Sequence, residues 1–127
     1  MTCPFCRRVE GGEVAEQNVL AAAFPDGYPV SEGHTLIVPK RHEGDFFRLT
    51  PDEQESILEL ARLVQKRLSK DDTVGGFNIG INVGEAAGQT VGHADMHVIP
   101  RRAGDVENPR GGVRHVIPSK GDYQVDS

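Results

Sequence analysis

The chain has 127 residues with a net charge of −5, an ordinary 37% hydrophobic share, few aromatics and no tryptophan. This length suits one domain that buries roughly two-thirds of its unfolded surface and folds alone. The acidic balance argues against a general nucleic-acid or membrane binder, although local donors can still hold an anion. No apolar run approaches the roughly 20 residues of a membrane span, and no signal-like N-terminus is visible, so a soluble cytoplasmic protein is expected.

Both cysteines lie in Cys3-Pro4-Phe5-Cys6. Such a pair can be a redox couple, half of a metal site or accidental. A thioredoxin-like couple would follow a strand and open a helix, and here nothing precedes it in the chain. Zinc needs four ligands, which two thiolates and two imidazoles would complete. Spacing alone does not decide.

Residues 1–13 read as a knuckle, a short strand at Arg7-Arg8-Val9 and a turn at Gly11-Gly12. Val19 to Phe24 is an apolar run of strand length ended by Pro25-Asp26-Gly27. His34 to Val38 is β-branched and strand-like, stopped by Pro39, with a turn at Val30 to Gly33 before it. These two strands should form a hairpin. Thr50-Pro51-Asp52-Glu53 combines an N-cap, a proline at the first helical position and a capping-box glutamate. Acidic residues at the start and Lys66, Arg67 and Lys70 at the end match the helix dipole. Ile57, Leu60, Ala61, Val64 and Leu68 form an apolar stripe that faces either the sheet or a partner chain.

Phe77 to Val83 alternates apolar residues with Asn or Gly, as a half-buried strand does. Gly84 to Gly88 is a loop. Gly88 to Arg101 then places His93, Asp95, His97 and Ile99 on one face if it is extended, with Ala94, Met96 and Val98 on the other. Three polar groups in a row need a metal, a ligand or each other. Residues 102–127 are rich in Gly, Pro and Arg and read as irregular. The succession predicts an α+β fold, a five-stranded antiparallel meander with one long helix and a short N-terminal knuckle.

Three segments in order, Cys3-x-x-Cys6, Gly33-His34-Thr35-Leu36-Ile37-Val38-Pro39-Lys40-Arg41-His42 and Gly88-Gln89-Thr90-Val91-x-His93-x-Asp95-x-His97-Val98-Ile99-Pro100-Arg101, resemble the histidine-triad (HIT) family. The resemblance also takes in Asn78 to Gly84 and nearly the whole chain as a single HIT domain. It implies a homodimeric nucleotide-binding protein that hydrolyses nucleoside phosphoramidates or dinucleoside polyphosphates, or transfers nucleotidyl groups. The family's middle triad histidine attacks the α-phosphorus, and here that position is Asp95. His97 and Gln89 are the other candidate catalytic residues. Asn82, Gln89, Thr90 and His97 are expected on the phosphate side and Asp26 on the ribose. Phe5 and Phe24 are either walls for the base or core residues, and His34 is either near the triad or structural. Cys3, Cys6, His42 and His93 match the structural zinc ligands of family members that carry the N-terminal cysteines. The arginines from Arg101 onward either belong to a solvated tail or reach a polyphosphate. Asp95 is a poor substitute for imidazole, so impaired catalysis is expected; the alternative is a binding or zinc-stabilised interaction protein without turnover.

Overall fold

Seven regular elements build the protein, seen in a computed structural model that describes residues 2–124. They are α1 (Pro4–Glu10), β1 (Glu16–Gln17), β2 (Ala21–Pro25), β3 (Thr35–Pro39), α2 (Pro51–Leu68), β4 (Gly76–Gly80) and β5 (Met96–Arg101). The strands form one antiparallel sheet in the order β1-β2-β3-β5-β4. The expected hairpin is present, with Ala23 opposite Ile37 and Phe24 opposite Leu36. The meander order holds except at its end. Helix α2 carries the chain from β3 across the sheet, and β5 returns into the gap between β3 and β4.

The sheet has two packed faces. Ile57, Leu60, Ala61, Val64 and Leu68 of α2 cover Ala21, Ala23, Ile37, Met96 and Val98. Burial of each large side chain there contributes roughly 1.5–3 kcal/mol. The apolar stripe therefore faces the sheet and offers nothing to a partner. On the opposite face, Phe24, Leu36 and Val38 pack with Phe5, Val9 and Val14. His97 lies opposite Leu36, so its side chain belongs to this second face. At Gly33 the backbone turns with φ +96°, and a Cβ would come within 2.8 Å of Leu68 Cδ2. The left-handed φ is what favours glycine here, and a Cβ would in addition push the Leu68 methyl aside.

Three expectations are corrected. Arg7-Arg8-Val9 is the end of helix α1, because Cys3 caps the N-terminus, its Sγ accepting from the Cys6 N–H at 3.4 Å, and Pro4 presets the first helical φ. The strand expected over Phe77 to Val83 stops at Gly80. The last strand begins only at Met96, so His93 and Asp95 precede it; Asp95 still faces the same cleft as His97, while His93 turns away towards the cysteines. The bend is held where the Ala94 N–H donates to the Glu43 carbonyl at 2.7 Å.

Helix α2 starts as expected. The Glu53 N–H donates to Thr50 Oγ1, and the Thr50 N–H donates to Glu53 Oε1. Glu53 is buried and also receives a two-pronged contact from Arg41, Nε to Oε2 at 3.0 Å and Nη2 to Oε1 at 2.9 Å. The Arg41 hydrogen bonds, aided by the Thr50 N–H, hold its carboxyl down to about 2 from 4.5. A depressed carboxylate stabilises fully above its unfolded value and loses that contribution as pH falls. Glu53→Gln should cost about 1–3 kcal/mol in urea denaturation at pH 7. It should also remove acid destabilisation between pH 4.5 and about 2; identical acid profiles for the two proteins would contradict this role.

Candidate functional site

Two clusters of imidazoles lie on either side of the Gly92–Asp95 bend, and their hydrogen bonds give them opposite chemistry. The first joins the N-terminal cap to the sheet. Cys3 Sγ and Cys6 Sγ each lie 3.5 Å from His93 Nδ1. Cys6 Sγ is 3.2 Å and His93 Nδ1 is 3.3 Å from His42 Nδ1. All four donor atoms lie within 4.8 Å of one another. With bonds of about 2.3 Å to sulfur and 2.05 Å to nitrogen, a zinc tetrahedron has edges of about 3.6 Å between S and N and about 3.3 Å between two nitrogens. The observed spacings fit those edges.

Protonation agrees with the spacing. His93 is fully buried, and its Nε2 lies 2.7 Å from the Pro39 carbonyl, so that nitrogen carries the hydrogen and Nδ1 presents its lone pair to the thiols. Burial also lowers its pKa, which keeps the ring neutral as a ligand must be. In the absence of a cation, burial and the neighbouring Cys3 push the Cys6 thiol up to about 11. A divalent ion would reverse that and hold both sulfurs as thiolates. Cys3, Cys6, His42 and His93 could therefore hold a metal.

A second convergence, Asp26, His34 and His97, resembles a metal site by distance alone. Its hydrogen bonds exclude that. The Val30 N–H donates to His34 Nδ1 at 3.1 Å, so the hydrogen of this neutral ring sits on Nε2. That N–H points at His97 Nδ1, 2.9 Å away, with Asp26 Oδ2 at 3.3 Å. A protonated nitrogen is a donor and has no lone pair for a cation. His97 Nδ1 thus accepts, and its own hydrogen sits on Nε2, which faces Asp95 Oδ2 at 3.6 Å. Burial lowers the His34 pKa against the pull of Asp26, which keeps the His34 ring neutral. His34 is therefore part of the site and structural at once: a backbone amide sets the tautomer of His97 through it.

His97 and Asp95 line a cleft of about 310 Å³, the size of a small-ligand pocket. No hydrogen-bond donor among the described residues engages the Asp95 carboxylate. Burial raises its pKa, with His97 opposing the rise and Asp26 adding to it. Asn82, Gln89 and Thr90 line the same cleft, as do Phe5, Phe24 and Asp26. Asn82 makes no side-chain hydrogen bond to the described residues. Gln89 is different: its Nε2 donates to the Gly44 and Val91 carbonyls, and its Oε1 accepts from the Gly84 N–H. Its amide shapes the loop. Asp26 Oδ1 accepts from the Tyr28 N–H at 2.7 Å. Phe24 is buried beneath Phe5 and belongs to the core while closing the cleft.

The C-terminal arginines go elsewhere. Arg101 binds Asp105 and Asn78, Arg102 binds Asp71 and the Glu32 carbonyl, and Arg110 and Arg114 bind backbone carbonyls of Lys120 to Tyr123. None of them lines the cleft, so the reading in which they reach a polyphosphate is not supported. The residue that does was missed. Arg8 carries the single positive side chain of Lys or Arg type among the described lining residues. Read as a strand, it gave no signal; read as a helix behind the Cys3 cap, it shares a face with Phe5.

Comparison with known proteins gives a consistent result. A family model described as HIT domain matches residues 10–104. The asymmetrical bis(5'-nucleosyl)-tetraphosphatase of Schizosaccharomyces pombe is 38% identical over 101 residues, covering 80% of this chain and 56% of that protein. The adenosine 5'-monophosphoramidase of the same yeast is 34% identical over 105 residues, covering 80% and 75%. A Zn-bound histidine triad family protein from Mycobacterium smegmatis superposes with a TM-score of 0.77 at 32% identity, over 85% of this chain and 81% of that one.

Proposed function

The chain belongs to the HIT domain family, and on that premise we propose that it binds a purine nucleoside monophosphate group and descends from the nucleoside phosphoramidate or dinucleoside polyphosphate hydrolase and nucleotidyl transferase class, with turnover impaired by Asp95. The observation that carries this reading is the relay from the Val30 N–H through His34 to His97, which fixes an N–H donor on the cleft side of His97. A phosphate oxygen would accept from it, with the Asn82 amide and the Gly88 to Thr90 backbone as further donors. Asp26, whose carboxylate keeps lone pairs beyond those engaged, suits ribose hydroxyls. Phe5 flanks the base. Asp95 occupies the place of the nucleophile and brings a negative charge instead of a lone pair on a neutral ring.

Binding without any turnover is a second reading, favoured by the Asp95 carboxylate, which is buried beside Asp26 and faces His97 Nε2 only at 3.6 Å. Both readings predict nucleotide binding. Titration calorimetry should give one AMP per chain at sub-millimolar affinity. Asp95→Asn removes a charge facing the phosphate and should tighten binding roughly 10-fold, about 1.4 kcal/mol. No heat of binding at millimolar AMP in either protein would contradict both, and would favour a zinc-stabilised interaction module.

Zinc is the ion we assign to Cys3, Cys6, His42 and His93, since two thiolates and two imidazoles suit its tetrahedral preference. It would pin α1 to the sheet and supply no step of the chemistry. Free thiol ligands favour a reducing compartment, hence the cytoplasm; no helix among the described residues is long and apolar enough to cross a membrane. The proposed domain spans residues 1–127, with 102–127 as an extension whose last three residues lie outside the described ones. A homodimer completes the reading. The α2 stripe no longer supports it, and the exposed edge strand β4 with Ile79 does. A monomeric sedimentation coefficient at micromolar concentration would contradict it.

A further inference from the structure

Arg8 is held in place at the Phe5 and Phe24 end of the cleft by two contacts. Its Nη1–H donates to the Pro25 carbonyl at 3.0 Å, and its guanidinium carbon sits 5.0 Å from the centre of the Phe24 ring. One of the five guanidinium N–H donors is thereby engaged with the protein. The Nη2 group lies beside Gly27, 3.8 Å from where a Cβ would stand, so no side chain screens it there. This half-buried, anchored fork keeps donors in hand at the end of the cleft, and no other arginine or lysine among the described residues lines it.

Resting on the nucleotide reading above, the base lies at this end of the cleft. Purines differ on the edge that such a fork would meet. Guanine and hypoxanthine present two neighbouring acceptors, O6 and N7, which match two parallel N–H donors. Adenine presents N7 beside an amino group, and that group sets donor against donor. We propose that Arg8 makes the cleft select 6-oxopurine nucleotides, those of guanine and hypoxanthine, over adenine nucleotides. Phosphate and ribose are common to all of them, so the discrimination falls on this residue.

The test is calorimetric titration of the zinc-loaded full chain with GMP, IMP and AMP, repeated on Arg8→Met and Arg8→Lys. A good bidentate pair discriminates by about 5- to 150-fold. The parent chain should bind GMP and IMP more tightly than AMP by a factor in that range. IMP should follow GMP, because the 2-amino group plays no part. In Arg8→Met the three ligands should fall within about 2-fold of one another. Arg8→Lys keeps the charge and loses the planar fork, so it should lose most of the preference even if Arg8→Met folds poorly. Equal binding of AMP and GMP by the parent chain overturns the inference and leaves the nucleotide reading standing. A preference that survives in Arg8→Lys and Arg8→Met alike removes Arg8 as its source. Binding of none of the three overturns the nucleotide reading itself.

Discussion

Asp95→His should raise hydrolysis of nucleoside phosphoramidates or dinucleoside polyphosphates by about 10³–10⁶-fold over the parent chain, a barrier change of roughly 4–8 kcal/mol. A neutral imidazole attacks phosphorus without charge repulsion and departs readily when water attacks the intermediate. Asp95 does neither well. As a carboxylate it would meet the phosphate of the proposed substrate anion to anion, Asp26 adds to the repulsion, and burial disfavours its charge. On the proposed reading an imidazole introduced there would find its partner ready, since the His97 N–H is set by His34 and does not depend on residue 95. Steady-state assays of the two proteins side by side check this. One outcome would be decisive against it: a variant that binds AMP yet stays within a few fold of the parent across both substrate classes. A parent chain that turns over through an acyl phosphate, trapped with hydroxylamine, would likewise show Asp95 to be a working nucleophile.

Removing the metal should have the second largest effect. Cys3 and Cys6 cap and line α1, His42 follows β3, and His93 precedes β5, so one ion ties three separate segments together. Structural zinc is worth roughly 10–16 kcal/mol in small metal-folded peptides. This chain has its own core, so only the share that fixes α1 is at stake. Chelation, or Cys3→Ser, should cost at least about 3 kcal/mol and lower the Tm by about 10 °C or more. The loss should reach the cleft as well, because Phe5 and Arg8 come from the released helix. Zinc-free protein from careful purification, with a Tm unchanged in Cys3→Ser, would refute the metal assignment.

Much of this was legible in the residues. The Thr50-Pro51-Asp52-Glu53 start, the α2 stripe and the β2–β3 hairpin are set by local capping, period and turn chemistry, and they appear as expected. The cysteine and histidine ligand set came from resemblance and is brought together in space. Three features depend on tertiary geometry and were not legible. The period-two pattern of His93, Asp95 and His97 suggested one shared face, but the Ala94 N–H bond to Glu43 breaks the strand and turns His93 into a different cluster. The seven residues of α1 are too few for periodicity to speak, and the cap that starts the helix is a cysteine, outside the usual capping residues. The pairing of Glu53 with Arg41 crosses from a helix cap to a loop, and no local pattern marks it.

The central claim is that the cleft beside Asp95 and His97 holds a nucleotide by its phosphate. Crystals of the chain grown with millimolar AMP test it most directly. The phosphate should accept a hydrogen bond from His97 Nε2 and lie against the Gly88 to Thr90 backbone, with the ribose on Asp26 and the base towards Phe5. An empty cleft, or AMP bound anywhere else on the chain, would contradict the account.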